Sequence, residues 1–502
     1  MTVSFNHISS NQRAPFFYAE FDNSMANSAT TVQRTLLIGQ MLATATATPG
    51  IPQKVSSDSA VAGICGNGSM LHNMMTAYLA NDISAEIWIL PLSDGTTGTV
   101  SASGKLQVLT AASATGVLSL YIAGMRIQLT VVSTDDPVAV AAAIVAAING
   151  QSKLPVTAEV DGKATDTVNL TAKNTRVHGN SIDIRLNYQG AAGGEETPQG
   201  MALKITPMAG GMGAPELTGA LGNLHDRAFD FIVNPYTDAT SLDVIKAFLS
   251  DDTGRWSYAQ QLYGHSFSAL TGTYGSLSAM GEARNNQHET LLGINGSPTP
   301  AYLWAAALTG AVAPSLRSDP GRPTQTLTIS GVLAPPLEDR FILAERNNLL
   351  YSGISTFTVA DDGSVQVEKT ITTYQKNKFG DADDSYLNIE TLFLLMFITR
   401  FLRTQITSKF GRMKLANDGT RFAPGAAIVT PNVIRAELIA QYRTLEYNGY
   451  VQDAAAFAKT LWVERNSSNT KRIDVLWTGT LIIDQLEIFA LLNQWRRAQT
   501  AA

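Results

Sequence analysis

The chain has 502 residues, more than one hydrophobic core sustains, so about three domains are expected. Hydrophobic residues make up 45% and charged residues 16%, which excludes a disordered chain and suits either extensive subunit packing or a large core. The net charge of −6, with no Lys/Arg run interleaved with aromatics, argues against a nucleic-acid binder, and the single cysteine, Cys65, excludes an intrachain disulfide.

The opening residues lack the basic and apolar regions of a secretory signal. The longest apolar run, 392–398, is broken at Arg400 and Arg403 and is too short to span a bilayer. The expected product is made in a reducing cytoplasm and is not inserted in a membrane.

Residues 1–28 read as an arm. Phe16, Phe17, Tyr18 and Phe21 crowd one short segment between polar stretches, and Pro15 favours an extended path. A buried strand follows at 32–38, then a helix at 69–79 and a strand at 86–90 ended by Pro91. Strand, helix and strand in that order predict a parallel α/β sheet over 29–94. From 95 to 205 the chain becomes rich in Thr, Val, Ser and Gly, with alternating runs at 117–122, 126–131, 167–172 and 181–186. This predicts a β-rich inserted domain, with one Ala-rich helix that Asp136 and Pro137 start.

The α/β pattern resumes over 206–330, with a strand at 229–233 and a helix at 240–249. Further strand units are expected at 258–264 and 288–293, and a helix at 300–310. A C-terminal α+β domain is expected over 331–484. It holds a hairpin over 356–374 around the turn Asp361-Asp362-Gly363, helices at 388–410 and 431–447, and a strand at 473–477. Residues 485–502 stay apolar with period two at Leu486, Ile488, Ala490 and Leu492. They either serve their own core or add a strand to another molecule. The fold class is α/β within an α+β multi-domain chain.

Chemistry-bearing motifs are weak. The turn Gly63-Ile64-Cys65-Gly66-Asn67-Gly68-Ser69 precedes a helix but lacks the P-loop lysine and the dinucleotide-binding spacing. Six scattered histidines form no metal spacing, and no nucleophile elbow is present. Asp230, His225 and Ser266 can be imagined as a triad, but chance supplies such sets freely. The acidic turn 381–384 lacks the frame of a calcium loop. No catalytic, cofactor-binding or metal-ligating residue is assigned. The cations Arg400, Arg403, Lys409, Arg412 and Lys414 either favour the end of the long helix or form a basic docking face.

Several stretches, in order, resemble contractile tail sheath proteins of the Mu-like bacteriophage type. They are the arm from Phe5 to Ser24, the segment 33–40, the stretches 347–356 and 367–374, and the tail from Arg472 to Trp495. The resemblance covers nearly the whole chain and is weakest in the inserted domain. It implies a non-enzymatic virion protein, made in the host cytoplasm, that polymerises as hexameric rings in a helical sheath. The implied partners are further copies of itself, the tail tube protein, and baseplate and terminator proteins.

The resemblance also implies a C-terminal sheet completed by strands exchanged between subunits. The donors are then the N-arm, with Phe16, Phe17, Tyr18 and Phe21, and the C-arm, with Leu486, Ile488, Ala490 and Leu492. The acceptor is the hairpin carrying Phe357, Val359, Val365, Val367 and Ile371, and Arg403, Lys409, Arg412 and Lys414 are candidates to face the tube. The alternatives are a hydrolase on an α/β scaffold and a static tube or surface-layer protein.

Overall fold

A computed structural model describes residues 33–95, 98–482 and 484. The chain opens with β1 (Arg34–Gln40), β2 (Gln53–Val55), α1 (Asp58–Cys65), α2 (Met70–Leu79) and β3 (Glu86–Leu92). An insertion then supplies β4 (Ser101–Thr110), β5 (Gly116–Ile122), β6 (Met125–Val131), α3 (Pro137–Gly150), β7 (Val156–Val160), β8 (Thr167–Thr175), β9 (Ile184–Leu186) and β10 (Ala202–Ala209). The first unit resumes with α4 (Thr218–Gly222), β11 (Phe231–Val233), α5 (Ala239–Leu249), β12 (His265–Thr271), α6 (Tyr274–Glu282), β13 (Glu289–Ile294) and α7 (Ala301–Ser318).

These elements build one sheet in the order β13-β12-β11-β1-β3-β2, parallel except for the antiparallel edge strand β2. Leu36, Leu37 and Ile38 of β1 are wholly buried, as expected of a central parallel strand covered on both faces. β3 runs through Pro91 instead of stopping there. The proline is tolerated because the pairing with β2 ends at Ile89, so no N–H is needed beyond it, while its carbonyl accepts from the Gly50 amide. Helices α2 and α7 pack together over β1, β11 and β12. They come close at Gly310, where a Cβ would stand 2.6 Å from the Tyr78 carbonyl. The stretch 258–264 is irregular rather than strand, with Gln261 and Tyr263 at positive φ, and feeds β12.

The insertion has its own core, drawn only from residues between Ala102 and Met208. Two antiparallel sheets, β10-β4-β8-β7 and β6-β5-β9, enclose it with α3. The pairing of β10 with β4 carries this unit to Ala209, a few residues beyond the expected boundary at 205. Val100 and Met212 exchange both backbone hydrogen bonds and so close its neck.

The rest of the chain adds α8 (Leu343–Tyr351), β14 (Thr356–Val359), β15 (Val365–Lys369), α9 (Ile389–Phe410), β16 (Lys414–Leu415), β17 (Ile428–Val429), α10 (Pro431–Tyr447), β18 (Val451–Gln452), α11 (Ala454–Thr460), β19 (Trp462–Arg465), β20 (Ile473–Leu476) and β21 (Thr480–Leu481). The hairpin β14–β15 forms as its turn predicts, but it joins the central core and not a new domain starting near Gly331. Phe357, Val365 and Val367 pack there, with the Phe357 ring 4.7 Å from Trp304. The C-terminal unit has a separate core of α9, α10 and α11, with Ile398, Leu438, Tyr442 and Phe457.

Helix α9 serves both cores. Ile389, Phe393 and Met396 face the central one, and Phe393 stacks on Phe231 at 4.9 Å. Leu394 and Ile398, on another side of the same helix, belong to the C-terminal one. Arg400 reaches back to the buried carboxylate of Asp230, which also accepts from the Arg34 amide. Desolvating such a pair is costly unless its geometry is well satisfied, so it fixes the helix in one position.

Candidate subunit-docking site

The expected acceptor hairpin does not stand free. The outer edge of β15 is occupied by 326–329: Thr326 and Ile329 amides donate to Val367 and Val365, and Val367 donates to Leu327 (2.8 Å each). At its start, β14 is tied to β13, with Ser355 bonded to Leu291 and Gly293. Ile371 is fully buried, and its carbonyl accepts from the hydroxyls of Thr290 (2.9 Å) and Ser355 (3.1 Å). Only Val359 among the five named residues is half-buried rather than buried.

A second hairpin has the open edges. β19 and β20 pair antiparallel, with Trp462 opposite Leu476, Val463 opposite Val475, Glu464 opposite Asp474 and Arg465 opposite Ile473. Among the described residues no third strand joins them. Val463 and Ile473 point toward the C-terminal core, whereas Trp462 and Leu476 are each 62% exposed. An isolated two-stranded ribbon is marginal in water, and unpaired edges invite another strand. The signal that could have found it is the polar turn at 466–470 between Trp462-Val463-Glu464-Arg465 and the strand beginning at Ile473.

Beside this hairpin the last described strand, β21, is held in place. The Tyr442 ring stacks on Phe457 at 3.8 Å, and Trp477 packs on both at 5.6 and 5.5 Å. The Tyr442 hydroxyl donates to the Gln452 carbonyl (2.5 Å) and accepts from the Thr480 amide (2.9 Å). It thus pins β21 onto β18, which pair at Val451–Leu481 and Gln452–Thr480. Gly479 passes so close to the Trp477 indole that a Cβ would stand 2.1 Å from it. The donor residues Phe16, Phe17, Tyr18 and Phe21, and Leu486, Ile488, Ala490 and Leu492, lie outside the described residues.

The four candidate tube-facing cations are exposed but not equivalent. Lys409, in the last turn of α9, is paired with Glu437 of α10 at 2.6 Å. Lys414 lies on the short strand β16, beside Ile428. Arg403 and Arg412 make no ion pair among the described residues.

The remaining motifs have structural uses. Cys65 is buried in the central core, and burial pushes its thiol up to about 12, which leaves it inert. At the glycine-rich turn the Gly68 amide donates to Nδ1 of His72, and Met70 donates to Asn174 of the insertion. Asp230 is engaged by Arg400 and the Arg34 amide, so the imagined triad with His225 and Ser266 has another assignment for its carboxylate. In the acidic turn Asp383 accepts from the Tyr374 hydroxyl at 2.6 Å. Among the described residues no His, Cys, Asp and Glu cluster has the grouping of a metal site.

The family model for the phage tail sheath protein central domain matches residues 210–373, and that for the phage tail sheath C-terminal domain matches residues 381–496. The first of these ends past β15, in line with the hairpin's place in the central core. The Mu-like prophage FluMu tail sheath protein of Haemophilus influenzae is 41% identical over 98% of this chain and 99% of its own. Among solved structures, a sheath tail protein of Desulfitobacterium hafniense is 14% identical, with TM-score 0.47 over 95% of this chain and 97% of that one. The helical sheath protein of the anti-feeding prophage in its contracted state is 11% identical, with TM-score 0.46 over 97% and 100%. The relatives are structural components of a virion tail, not enzymes, and the chain belongs to the phage tail sheath protein family.

Proposed function

We propose that the chain is the contractile subunit of such a sheath. Copies assemble as stacked hexameric rings around the tail tube, joined to a baseplate and a terminator at the two ends. On a baseplate signal they rearrange into a wider, shorter lattice that drives the tube through the host envelope. The energy lies in two packings of the same folded subunit. The embedding of α9 in both cores supports a subunit that moves as a rigid body, with the motion between copies.

The observation that carries the reading is the open hairpin β19–β20 beside the pinned exit of the chain at Thr480. We assign it, in preference to β14–β15, as the acceptor for strands from neighbouring subunits. The donors are the apolar segments around 14–21 and 486–493, with 23–28 and 478–480 as the hinges that keep the strands engaged during contraction. Arg403, Arg412 and Lys414, which have no ion pair among the described residues, are the cations left to meet an acidic tube surface.

Deletion of residues 1–22, or of everything after Asp484, tests this. Each variant is expected to stay folded by circular dichroism yet to lose polymer in negative-stain microscopy and analytical ultracentrifugation. Intact polymers after either deletion would falsify strand exchange. Polymers of the full chain that shorten and widen on triggering establish contraction, and tubes of fixed diameter exclude it.

A further inference from the structure

Helix α9 rests on an aromatic cluster that contains one titratable ring. Phe393 of α9 lies 4.9 Å from Phe231 and 6.5 Å from Phe267. The imidazole of His265 stands beside them, 4.9 Å from Phe267 and 6.1 Å from Phe393. His265 is the first residue of β12 and is fully buried.

A chain of hydrogen bonds settles which ring nitrogen carries the proton. The Thr290 hydroxyl has one proton and gives it to the Ile371 carbonyl at 2.9 Å. It can therefore only accept from His265, whose Nε2 stands 2.8 Å away. The lone pair is left on Nδ1, which is buried and has no hydrogen-bond partner among the described residues. A second proton has only Nδ1 to go to, and its N–H would find no acceptor there among the described residues.

The charged and titratable groups on the surrounding elements are engaged elsewhere. Asp230, just ahead of β11, pairs with Arg400 of α9. Glu289, at the start of β13, pairs with Arg284, and Glu390 of α9 accepts from Thr324. His288 pairs with Asp251, and Tyr263, ahead of β12, lies under the Arg400 guanidinium. A charged imidazole in such a site bears the cost of leaving water with nothing to offset it. Burial, and after it the neighbouring His288, hold the ring well below the usual imidazole range.

We propose that His265 is an acid-release point for α9: its ring stays in place only when neutral, so taking up a proton requires Phe393, and α9 with it, to move off the central core. The subunit is then one rigid body near neutral pH and a jointed one in acid, whatever its neighbours do. By linkage, the opened site takes the proton near the ordinary imidazole value of about 6.5, and the closed site does not. Closure is at full strength above that value and weakens by about tenfold for each pH unit below it.

Amide exchange on the full-length chain, corrected for the pH dependence of the intrinsic rate, tests this. Between about pH 7.5 and about pH 5.5 the protection of 389–398 is expected to fall about tenfold more in the wild type than in His265→Gln. Glutamine offers Thr290 an amide N–H in place of Nε2 and does not titrate. A second measurement needs no variant: exchange of the imidazole Cε1 hydrogen, followed by mass spectrometry, reports the protonation of each histidine. Between about pH 5 and about pH 8, His265 is expected to show no titration while the exposed His225 titrates. Equal pH dependence in wild type and His265→Gln, or His265 titrating together with His225, overturns the proposal.

Discussion

At the scale of single residues, the hold on the last described strand, β21, depends on one hydroxyl. Tyr442 sits on the buried stripe of α10, and its ring would be replaced almost isosterically by phenylalanine. The stack on Phe457 survives that change, but the Thr480 amide and the Gln452 carbonyl lose their shared partner. Leaving enclosed polar groups unpaired costs about 1–3 kcal/mol. Tyr442→Phe is therefore expected to lower the unfolding free energy extrapolated from urea titration by an amount in that range, and the urea midpoint with it. Amide exchange should speed up at 451–452 and 480–481, with the rest of the domain unchanged. An unaltered midpoint with unaltered exchange would show that β21 is held by its backbone pairing alone. Such a role is not legible in the sequence: Tyr442 reads there only as one more member of a helical stripe.

At the scale of elements, α9 is the joint between two cores, and Arg400 locks it. Its partner Asp230 is almost fully buried, and without the guanidinium it would keep, among the described residues, only the Arg34 amide at 3.3 Å. Removing one member of a buried pair costs about 3–5 kcal/mol. Arg400→Met keeps the length of the side chain and removes the charge. Calorimetry of this variant is expected to split unfolding into two transitions, with the C-terminal unit melting first. A single transition at the wild-type temperature would count against the joint.

The extent of α9 was readable from its apolar stripe and from the polar turn ahead of Asn388. That the stripe divides between two cores was not, because periodicity gives a face and not its partner. The two hairpins show the same limit. The turn Asp361-Asp362-Gly363 announces β14–β15, but Thr326-Leu327-Thr328-Ile329, which alternates like a short strand, does not announce that it covers that hairpin's edge. β19 went unseen because Trp462-Val463-Glu464-Arg465 is short and half charged, and its turn lacks glycine and proline. The hairpin with open edges thus lies where local chemistry is least declarative.

At the scale of the whole molecule, the inserted domain is joined to the sheath body by a narrow neck. Its core shares no residue with the central core, and its entry and exit meet at the Val100–Met212 pair. The contacts across the boundary are mostly polar. They include Lys153 with Asp58 (2.9 Å), Asn174 to the Met41 carbonyl (2.9 Å) and Tyr188 to the Ala334 carbonyl (2.6 Å). Water can replace such partners at little cost, whereas a shared apolar core could not be cut. The ring of Tyr236, which His178 caps at 4.8 Å, would be uncovered. Replacing 101–211 by a two-residue Gly-Gly link across the Val100–Met212 pair is therefore expected to leave a folded chain that still polymerises. Calorimetry should show the loss of one unfolding transition, and microscopy should show tubes of smaller outer diameter. Tubes of unchanged diameter would place the insertion between subunits rather than on the outside. A folded chain that no longer polymerises would make it part of the lattice itself, and the arms would then not be the sole contacts that hold the sheath together.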